Sequence, residues 1–246
     1  MSDWLFDLGN SRFKAAPWQA DGGIGTILAW PHGAEALVAG DDSQGPLPRG
    51  RRAWVASVAA PALTEQLLAR LRERFDEVHV AHTRAECAGV RVAYARPERL
   101  GVDRFLALLG ARALGGDALV AGVGTALTVD LLDAGGVHHG GRIAASPTLM
   151  RQALHARAAQ LPAAGGRYAE FADDTDDALA SGCMGAAVAL IERSLREAAQ
   201  RLGREPVLLL HGGGAPELLP WLPQARLRPA LVLEGLALWA QVAGAD

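Results

Sequence analysis

The sequence predicts an α/β protein of two related domains, each built on a mixed sheet. An apolar strand, a glycine turn and a second strand occur as LFDLGNSRFK from Leu5 and again as LVAGVGTALTVD from Leu119. In each half, three predicted strands precede an alternation of helices and strands, which is typical of mixed sheets. Half of the 246 residues are hydrophobic, enough for sizeable cores.

The first half contains five predicted strands and one predicted helix. The strands are 4–7, 12–16, 25–30, 53–58 and 77–81. Leucines recur every three or four residues over 60–75, which predicts a helix with Pro61 in its first turn. The segment 36–52, rich in Gly, Pro, Asp and Ser, is predicted as a loop. Its basic end is interpreted as a solvated surface, in preference to a nucleic-acid patch, and contains Arg49, Arg51 and Arg52.

The second half repeats this order. Its predicted strands are 118–121, 126–132, 137–143 and 206–210, and its predicted helices are 147–160, 176–202 and 231–242. A helix over 101–114, ended by Gly115 and Gly116, joins the halves, so we predict domains 1–116 and 117–246. Three strands followed by alternating helix and strand, twice, is the pattern of two ribonuclease-H-like domains.

Charge and composition exclude several classes of protein. The net charge is -3 and the pI is near 6.2, so no overall basic surface for nucleic acid is expected. The N-terminus lacks a secretory signal, and the longest apolar stretch, 118–129, is shorter than the roughly 20 residues that span a bilayer. Cys87 and Cys183 have no CxxC spacing, so both are predicted to be buried thiols. We expect a cytoplasmic protein that binds neither membrane nor nucleic acid.

Both glycine turns are interpreted as phosphate-binding loops. Glycine has no side chain to keep phosphate oxygens away from backbone N–H groups. The turn GVGTAL from Gly122 is not a dinucleotide fingerprint, because Thr128 and Val129 favour a strand where that site needs a helix. No P-loop sequence occurs. Either turn alone fits an ordinary hairpin, but the pair favours ATP in a cleft between the domains.

Two charged residues flank the first turn. Asp7 ends an apolar strand, where a carboxylate is costly unless it is hydrogen-bonded or holds a cation such as the magnesium that accompanies ATP. Lys14 is long enough to reach the same phosphates, and Asn10 and Ser11 offer donors from the turn. In the alternative interpretation Asp7 caps the turn and Lys14 extends into solvent.

The segment GVDR, from Gly101 to Arg104, opens a predicted helix. Phosphoryl transfer to an alcohol needs a carboxylate that accepts the hydroxyl proton and cations that hold the phosphates, so Asp103 is a candidate base. The alternative is an N-terminal helix charge and a surface ion pair.

These segments together resemble the type III pantothenate kinases of the acetate and sugar kinase, Hsp70 and actin superfamily. DLGNSRFK is similar to the family's first phosphate motif, DxGNTxxK, with Ser11 in place of threonine, and GVDR is similar to its GxDR motif. GTALTVD followed by HHGGRIAASPTLM is similar to the second phosphate motif and the GGxIxPGxxxM stretch. DDTDDALASG resembles the TxxAxxSG element, and LLLHGGGA the nucleotide-side glycine turn. The five motifs keep the family's order over nearly the whole chain.

The resemblance implies two actin-like ATPase domains that phosphorylate pantothenate with ATP and magnesium, the first step of coenzyme A synthesis, in a homodimer. It implies that Asp103 is the base and that Asp7 lies near magnesium. The implied pantothenate contacts are Tyr94, Gly101, Val102, Asp103, Arg104 and Thr175, the last across the dimer interface. The implied ATP contacts are Asp7, Leu8, Gly9, Asn10, Ser11, Arg12, Phe13, Lys14, Gly124 and Thr125. By residue type alone, Tyr94 is a half-buried strand aromatic and Thr175 a helix cap.

The chain departs from the family pattern at two places. Many relatives carry an aspartate that binds a monovalent cation, K⁺ or NH₄⁺, where this chain has Gly122. We therefore expect weak or absent potassium dependence, or a potassium site built differently. The proline of GGxIxPG is displaced to Pro147, after Ser146, which changes the expected shape of that loop.

The histidines do not form a predicted metal site. His138 and His139 are adjacent in a predicted strand and would point to opposite faces, so one zinc ion would not take both. His211, beside the last glycine turn, is interpreted as a structural histidine, with a nucleotide contact as the alternative.

Two other functions stay open at this point. A regulator of the same fold that binds nucleotide or pantothenate without catalysis is kept open by Gly122, although the presence of Asp7, Lys14, Asp103 and Arg104 together argues against it. A kinase for another small alcohol or a carboxylate is the second alternative, since a fold alone does not select a substrate.

Overall fold

A computed structural model describes residues 2–19, 22–31, 47–158 and 160–244. The chain forms two compact units. The first contains Met1–Gly115, Gly135–His138 and Ala230–Asp246, and the second contains Gly116–Ala134 and His139–Pro229. Each unit has its own five-stranded mixed sheet with helices, so the predicted α/β class is confirmed.

The first unit is built on a sheet with strand order β3-β2-β1-β4-β5. Its strands are β1 (Asp3–Leu8), β2 (Arg12–Trp18), β3 (Leu28–Pro31), β4 (Gly50–Ser57) and β5 (Phe75–Val80). The first three are antiparallel, whereas β4 runs parallel to both β1 and β5. Phe6 of β1 stacks on Phe13 of β2, with ring centroids 6.0 Å apart, and meets the edge of Phe75. This aromatic core fixes the register of the β1–β2 hairpin.

Three helices belong to the first unit. They are α1 (Pro61–Arg72), α2 (Val102–Leu114) and α6 (Leu231–Ala243). The α1 helix has Pro61 in its first turn, as predicted, and buries Leu67, Leu68 and Leu71. A short ribbon of β6 (Glu86–Cys87) and β7 (Val90–Arg91) and a 3₁₀ turn at Pro97–Arg99 lead into α2.

The compact units differ from the predicted domains, 1–116 and 117–246, chiefly in the placement of the final helix and of the short segment Gly135–His138. Within the first unit α6 packs closely on α2, because glycines lie at the contact. A Cβ on Gly235 would lie within 1.8 Å of the Leu106 carbonyl oxygen, and a Cβ on Gly110 within 2.6 Å of the Leu231 carbonyl oxygen. The final helix therefore packs with the first unit, although the predicted division at 116 assigned it to the second domain.

The predicted loop 36–52 lies mostly outside the described residues, and β4 already begins at Gly50. Two of its three basic residues pair with one carboxylate on the neighbouring strand. Arg52 Nη2 lies 2.6 Å from Asp3 Oδ2, and Arg51 Nε lies 3.5 Å from Asp3 Oδ1. Arg51 and Arg52 are thus engaged in ion pairs at the sheet. Both cysteines, Cys87 and Cys183, are buried free thiols as predicted.

The second unit repeats the strand order of the first, as β10-β9-β8-β11-β12. Its strands are β8 (Ala118–Val123), β9 (Ala126–Leu132), β10 (His138–Ala145), β11 (Val207–His211) and β12 (Arg226–Leu227). Its helices are α3 (Pro147–Arg157), α4 (Thr175–Leu202) and the single turn α5 (Ala215–Leu218). Again the glycine turn joins an antiparallel hairpin, β8–β9, and the first strand has a parallel partner, β11, on its other side.

The helix α4 is the one described element with the length and apolar character of a membrane span, with a mean hydropathy of 1.3 in its most apolar window. A single helix of this kind is weak support for a membrane span, because core helices of soluble proteins share both properties. In the second unit, Ile191, Leu195 and Ala198 of α4 belong to the same buried cluster as side chains of β8, β9 and β11. This packing is that of a core helix.

Candidate active site

The first glycine turn closes the β1–β2 hairpin. Asp7, next to the last residue of β1, lies directly opposite Lys14 of β2. The Gly9 N–H donates to the Arg12 carbonyl oxygen at 2.9 Å, and a Cβ on Gly9 would lie 3.2 Å from that oxygen. A side chain at position 9 would therefore require this carbonyl to shift by a few tenths of an ångström, and Asn10 is exposed at the tip of the turn.

The residues beside the turn differ in what they can offer a ligand. Leu8 and Phe13 are fully buried in the core of the first unit. Any contact that these two make to ATP would go through their backbone. Ser11 and Lys14 are partly buried and Arg12 is exposed, so their side chains lie nearer to solvent.

Two of the predicted site carboxylates interact within the first unit. Burial raises the pKa of Asp7 to about 6, Lys14 lowers it, and the negative charge of Asp103 raises it. Two mutually repelling carboxylates favour a shared cation. Carboxylate oxygens are the ligands that Mg²⁺ prefers, and it usually binds one or two of them together with phosphate oxygens and water. The described residues contain no group of three or more His, Cys, Asp or Glu that would hold a metal by themselves.

The carboxylate of Asp103 is held at the start of α2. The Arg104 N–H donates to Asp103 Oδ1 at 2.8 Å. Gly101 precedes the helix, and a Cβ there would lie 2.7 Å from the same Oδ1 atom. The side chain therefore folds back over Gly101, at the end of the helix where backbone N–H groups stabilise negative charge.

Arg104 is buried and is held by Tyr94. Arg104 Nη1 donates to the Tyr94 hydroxyl at 3.3 Å, and the guanidinium carbon lies 6.0 Å from the centre of the Tyr94 ring. Tyr94 also stacks on His138, with ring centroids 6.0 Å apart and planes inclined by 24°. His138 is 1% exposed, and its Nδ1 accepts from the Ala93 N–H at 3.4 Å.

His138 is a candidate site residue that no sequence motif indicates. It supports the ring that contacts Arg104. The contact joins residues 44 positions apart, which no local pattern records. Tyr94 itself lies outside the strands of the structure. The interpretation of Tyr94 as a strand aromatic is therefore wrong, although the residue is half-buried as expected.

The second glycine turn connects β8 to β9. The Gly124 N–H donates to the Ala126 carbonyl oxygen at 2.9 Å, and Thr125 is exposed. Ser146 donates its hydroxyl to the Thr125 carbonyl oxygen at 2.9 Å and accepts from the Leu149 N–H at 3.2 Å. Ser146 thus caps α3 and Pro147 occupies its first turn, which gives the displaced proline a structural role.

Thr175 is the first residue of α4 and is exposed. The helix cap is Asp174, whose carboxylate accepts from the Asp177 N–H at 2.8 Å, so the alternative interpretation of Thr175 as the cap is wrong. A cavity of about 450 Å³ lies at this helix end and is lined by Gly166, Arg167, Asp174, Thr175, Asp176 and Asp177. Thr175 therefore faces a space that a small polar ligand could enter.

The first unit brings together one group of predicted residues: Asp7, Lys14, Tyr94, Asp103 and Arg104. Gly124, Thr125 and Thr175 belong to the second unit. A carboxylate at a helix start is placed to accept the proton of an alcohol, and a glycine turn with a nearby lysine is placed to bind phosphate, as phosphoryl transfer to an alcohol needs.

Gly101→Ala is expected to lower turnover roughly tenfold, because the new Cβ would occupy the space of Asp103 Oδ1 and turn the carboxylate away from the substrate. The backbone at Gly101, with φ of -54° and ψ of 137°, accepts alanine, so the melting temperature should stay nearly unchanged. Steady-state kinetics with thermal denaturation check both expectations. Unchanged turnover would show that the rate does not depend on the position of the Asp103 carboxylate.

A family model described as Type III pantothenate kinase matches residues 4–197 of the chain. A type III pantothenate kinase from Xanthomonas axonopodis pv. citri (strain 306) is 66% identical over 245 residues, covering 99% of each chain. One from Stenotrophomonas maltophilia (strain R551-3) is 66% identical over 240 residues and 98% of each chain.

Solved structures with a similar fold have far lower sequence identity. A protein assigned to the Baf family of transcriptional activators from Campylobacter jejuni aligns with a TM-score of 0.66 and 18% identity, covering 99% of this chain and all of that one. A protein assigned as a 2-dehydro-3-deoxygalactonokinase from Sinorhizobium meliloti gives 0.59 and 16%, with 98% of each chain covered. These two show the fold alone. The family match and the close relatives show more: this chain belongs to the type III pantothenate kinases.

Proposed function

We propose that Asp103, Arg104 and the first glycine turn carry the phosphorylation of pantothenate by ATP in this protein. The chain is a pantothenate kinase, a phosphotransferase that acts on an alcohol group in the first step of coenzyme A biosynthesis. The observation that supports these residue roles best is the Asp103 carboxylate. It is fixed over Gly101 by the Arg104 N–H and is close enough to Asp7 to alter its pKa.

Asp103 acts as the general base in this proposal. The primary hydroxyl of pantothenate attacks the γ-phosphorus of ATP, and its proton passes to the Asp103 carboxylate. The bond between the γ-phosphorus and the oxygen that bridges to the β-phosphate breaks, and ADP leaves. The Arg104 N–H holds this carboxylate at the start of α2, where it can accept the proton of the attacking hydroxyl. After the transfer the proton leaves to solvent.

The first glycine turn binds the phosphates in this proposal. Magnesium, when bound with ATP, neutralises negative charge on the phosphate oxygens. Asp7 would hold it, and Lys14, directly opposite on β2, would add a positive charge next to the same oxygens. Because the Gly9 N–H already donates to the Arg12 carbonyl oxygen, the backbone N–H groups of Asn10 and Ser11 would bind further phosphate oxygens at the turn. Gly124 and Thr125 are proposed to contribute phosphate contacts from the second unit.

Tyr94 and Arg104 bind pantothenate in this proposal, together with the backbone of Gly101 and Val102. Arg104 is buried, so its charge is only weakly screened by water and can hold a polar substrate firmly. Thr175 is proposed as a further contact from the second unit. A homodimer and a cytoplasmic location are part of the same proposal, and weak potassium dependence, expected from Gly122, stays a prediction.

Tyr94→Phe is expected to raise the KM for pantothenate about fivefold and to leave kcat within a factor of two. The variant removes the hydroxyl that accepts from Arg104 Nη1 and keeps the ring that stacks on His138. Arg104 therefore loses one hydrogen bond that orients its guanidinium, and it keeps its charge and its contact with the ring. Tyr168→Phe is a matched control, because the Tyr168 hydroxyl bonds to Glu170, an exposed partner. A large fall in kcat with unchanged KM would contradict the binding role of Tyr94.

The substrate assignment is tested by product identification. The protein is incubated with ATP, magnesium and either pantothenate or another small alcohol or carboxylate, and products are analysed by mass spectrometry. We expect 4'-phosphopantothenate, and a kcat/KM for pantothenate at least a hundredfold above that of the other acceptors. A better acceptor would favour the kinase for another substrate, and binding of nucleotide or pantothenate without any product would favour the regulator.

A further inference from the structure

His211 lies beside the second glycine turn and has no role in the proposed function. It is the last residue of β11, is partly buried, and lies directly beside Gly122 of β8. A Cβ on Gly122 would lie 2.8 Å from His211 Nε2 and 2.8 Å from Thr128 Oγ1. The imidazole therefore extends across β8 and fills the space that a side chain at position 122 would need.

The two units carry an equivalent set of three residues next to their glycine turns. In the first unit Asp7 lies between Ala56 of β4 and Lys14 of β2. In the second unit Gly122 lies between His211 of β11 and Thr128 of β9. Directly paired residues point to the same face of a sheet, so each set of three forms one row of side chains.

Each row contains one basic side chain, but on opposite sides. The first row has Lys14 on the hairpin strand and the small Ala56 on the parallel strand, whereas the second row has His211 on the parallel strand. The central residue of the row also differs: it is Asp7 in the first unit and Gly122 in the second. A larger residue at 122 and the imidazole of His211 would compete for one space, so the two positions are coupled.

The location of His211 is one where ligands bind. The parallel strands β8 and β11 end at the same edge of the sheet, where Gly124 follows β8 and Gly212 to Gly214 follow β11. From β8 the chain continues to β9, which lies on one side of β8 in the sheet, whereas from β11 it continues to β12, on the opposite side. The two connections run in opposite directions, so a topological switch point lies between β8 and β11. Open α/β sheets bind ligands at such points, beyond the carboxyl ends of the strands.

We infer that His211 is a phosphate-binding residue of the second unit, whose imidazole N–H donates to a nucleotide phosphate oxygen at the turn that follows Gly122. It serves there as the counterpart of Lys14 in the first unit. The inference rests on the proposed function for the presence of the nucleotide. The inference also explains Gly122, because only a residue without a side chain leaves room for the imidazole of His211.

Equilibrium binding of ADP by calorimetry tests this role without turnover. His211→Ala is expected to weaken ADP binding about tenfold, the size of one lost hydrogen bond to a charged group. Gly122→Ala is expected to weaken it similarly, because the new methyl group displaces the imidazole while keeping it in the protein. The double variant should lose no more than either single variant, since both remove the same contact. His139→Ala is the matched control, because His139 pairs with Asp133 in the same unit.

Competition between adenosine and labelled ADP distinguishes a phosphate contact from a base contact. The adenosine affinity should be the same in the native chain and in His211→Ala, and an equal loss for both ligands would overturn the phosphate assignment. Unchanged ADP affinity in His211→Ala would overturn the role of His211. Absence of ADP binding in the native chain would instead contradict the nucleotide assignment. If His211→Ala does not fold, Gly122→Ala alone decides, because it keeps the histidine.

Discussion

Asp103→Asn is expected to lower the turnover of pantothenate by about a hundredfold or more, while the affinity for ATP stays unchanged. Asparagine keeps the size of the side chain and the acceptor for the Arg104 N–H, but it cannot take the proton of the attacking hydroxyl. The loss should therefore appear in kcat, with little change in the KM for pantothenate. Initial rates with varied pantothenate at saturating ATP give kcat and the KM for pantothenate, and equilibrium binding of ATP without pantothenate gives the affinity for ATP.

The control for this variant is Asp76→Asn, an exposed carboxylate on β5, which should leave turnover unchanged. Thermal denaturation of both variants excludes a folding defect as the cause of a lost rate. Wild-type turnover in Asp103→Asn would show that Asp103 is not the general base. Loss in both variants alike would point to a general effect of charge.

Asp7→Asn is expected to stabilise the metal-free protein above pH 6 and to lower its activity by about a hundredfold. The folded-state pKa of Asp7, about 6, lies above the usual 3.8, chiefly because of burial. Below pH 3.8 the carboxyl is protonated in both the folded and unfolded states. As pH rises from 3.8 to about 6, the carboxyl ionises in the unfolded chain before it ionises in the folded protein, and the free energy of unfolding falls by about 3 kcal/mol. Asparagine does not carry this cost.

The measurement is urea denaturation of the native chain and of Asp7→Asn at pH 4 and pH 7.5, without magnesium. The variant should be more stable at pH 7.5 and nearly equal at pH 4. Asp3→Asn provides a contrast of opposite sign on the same strand. Burial raises the pKa of Asp3, but its bonds from Arg52 and Arg51 outweigh burial and lower it, so loss of this carboxylate should destabilise the protein at pH 7.5. Destabilisation by Asp7→Asn at pH 7.5 would contradict the account.

The activity of Asp7→Asn should fall because a neutral amide is a weak magnesium ligand. The stabilising effect and the loss of activity then have one origin, a carboxylate kept in a costly position for its function. Restoring part of the rate with a higher magnesium concentration would support this reason for the loss. Full activity at ordinary magnesium concentrations would contradict it.

The sequence predicted the fold through features that are local along the chain. Both hairpins were visible because an apolar strand, a glycine turn and a second strand lie within a dozen residues. The start of α2 was visible in the same way, from GVDR followed by an apolar run. These are also the segments that carry Asp7, Lys14, Asp103 and Arg104, which is why so much of the candidate site was predicted.

The contacts that the sequence did not predict join distant parts of the chain. The stacking of Tyr94 on His138, the packing of α6 on α2, and the position of His211 over Gly122 each depend on tertiary structure. No periodicity records such pairs. The last of them gives a physical reason for the departure at Gly122, which the sequence presented only as an absent aspartate.

The most direct test is transfer of labelled phosphate from ATP to pantothenate in the presence of magnesium, comparing the native chain with Asp103→Asn. We predict labelled 4'-phosphopantothenate from the native chain and a rate at least a hundredfold lower from the variant. Equal rates in the two would contradict the assignment of the base, and no product from a native chain that binds ATP and pantothenate would contradict the proposed kinase.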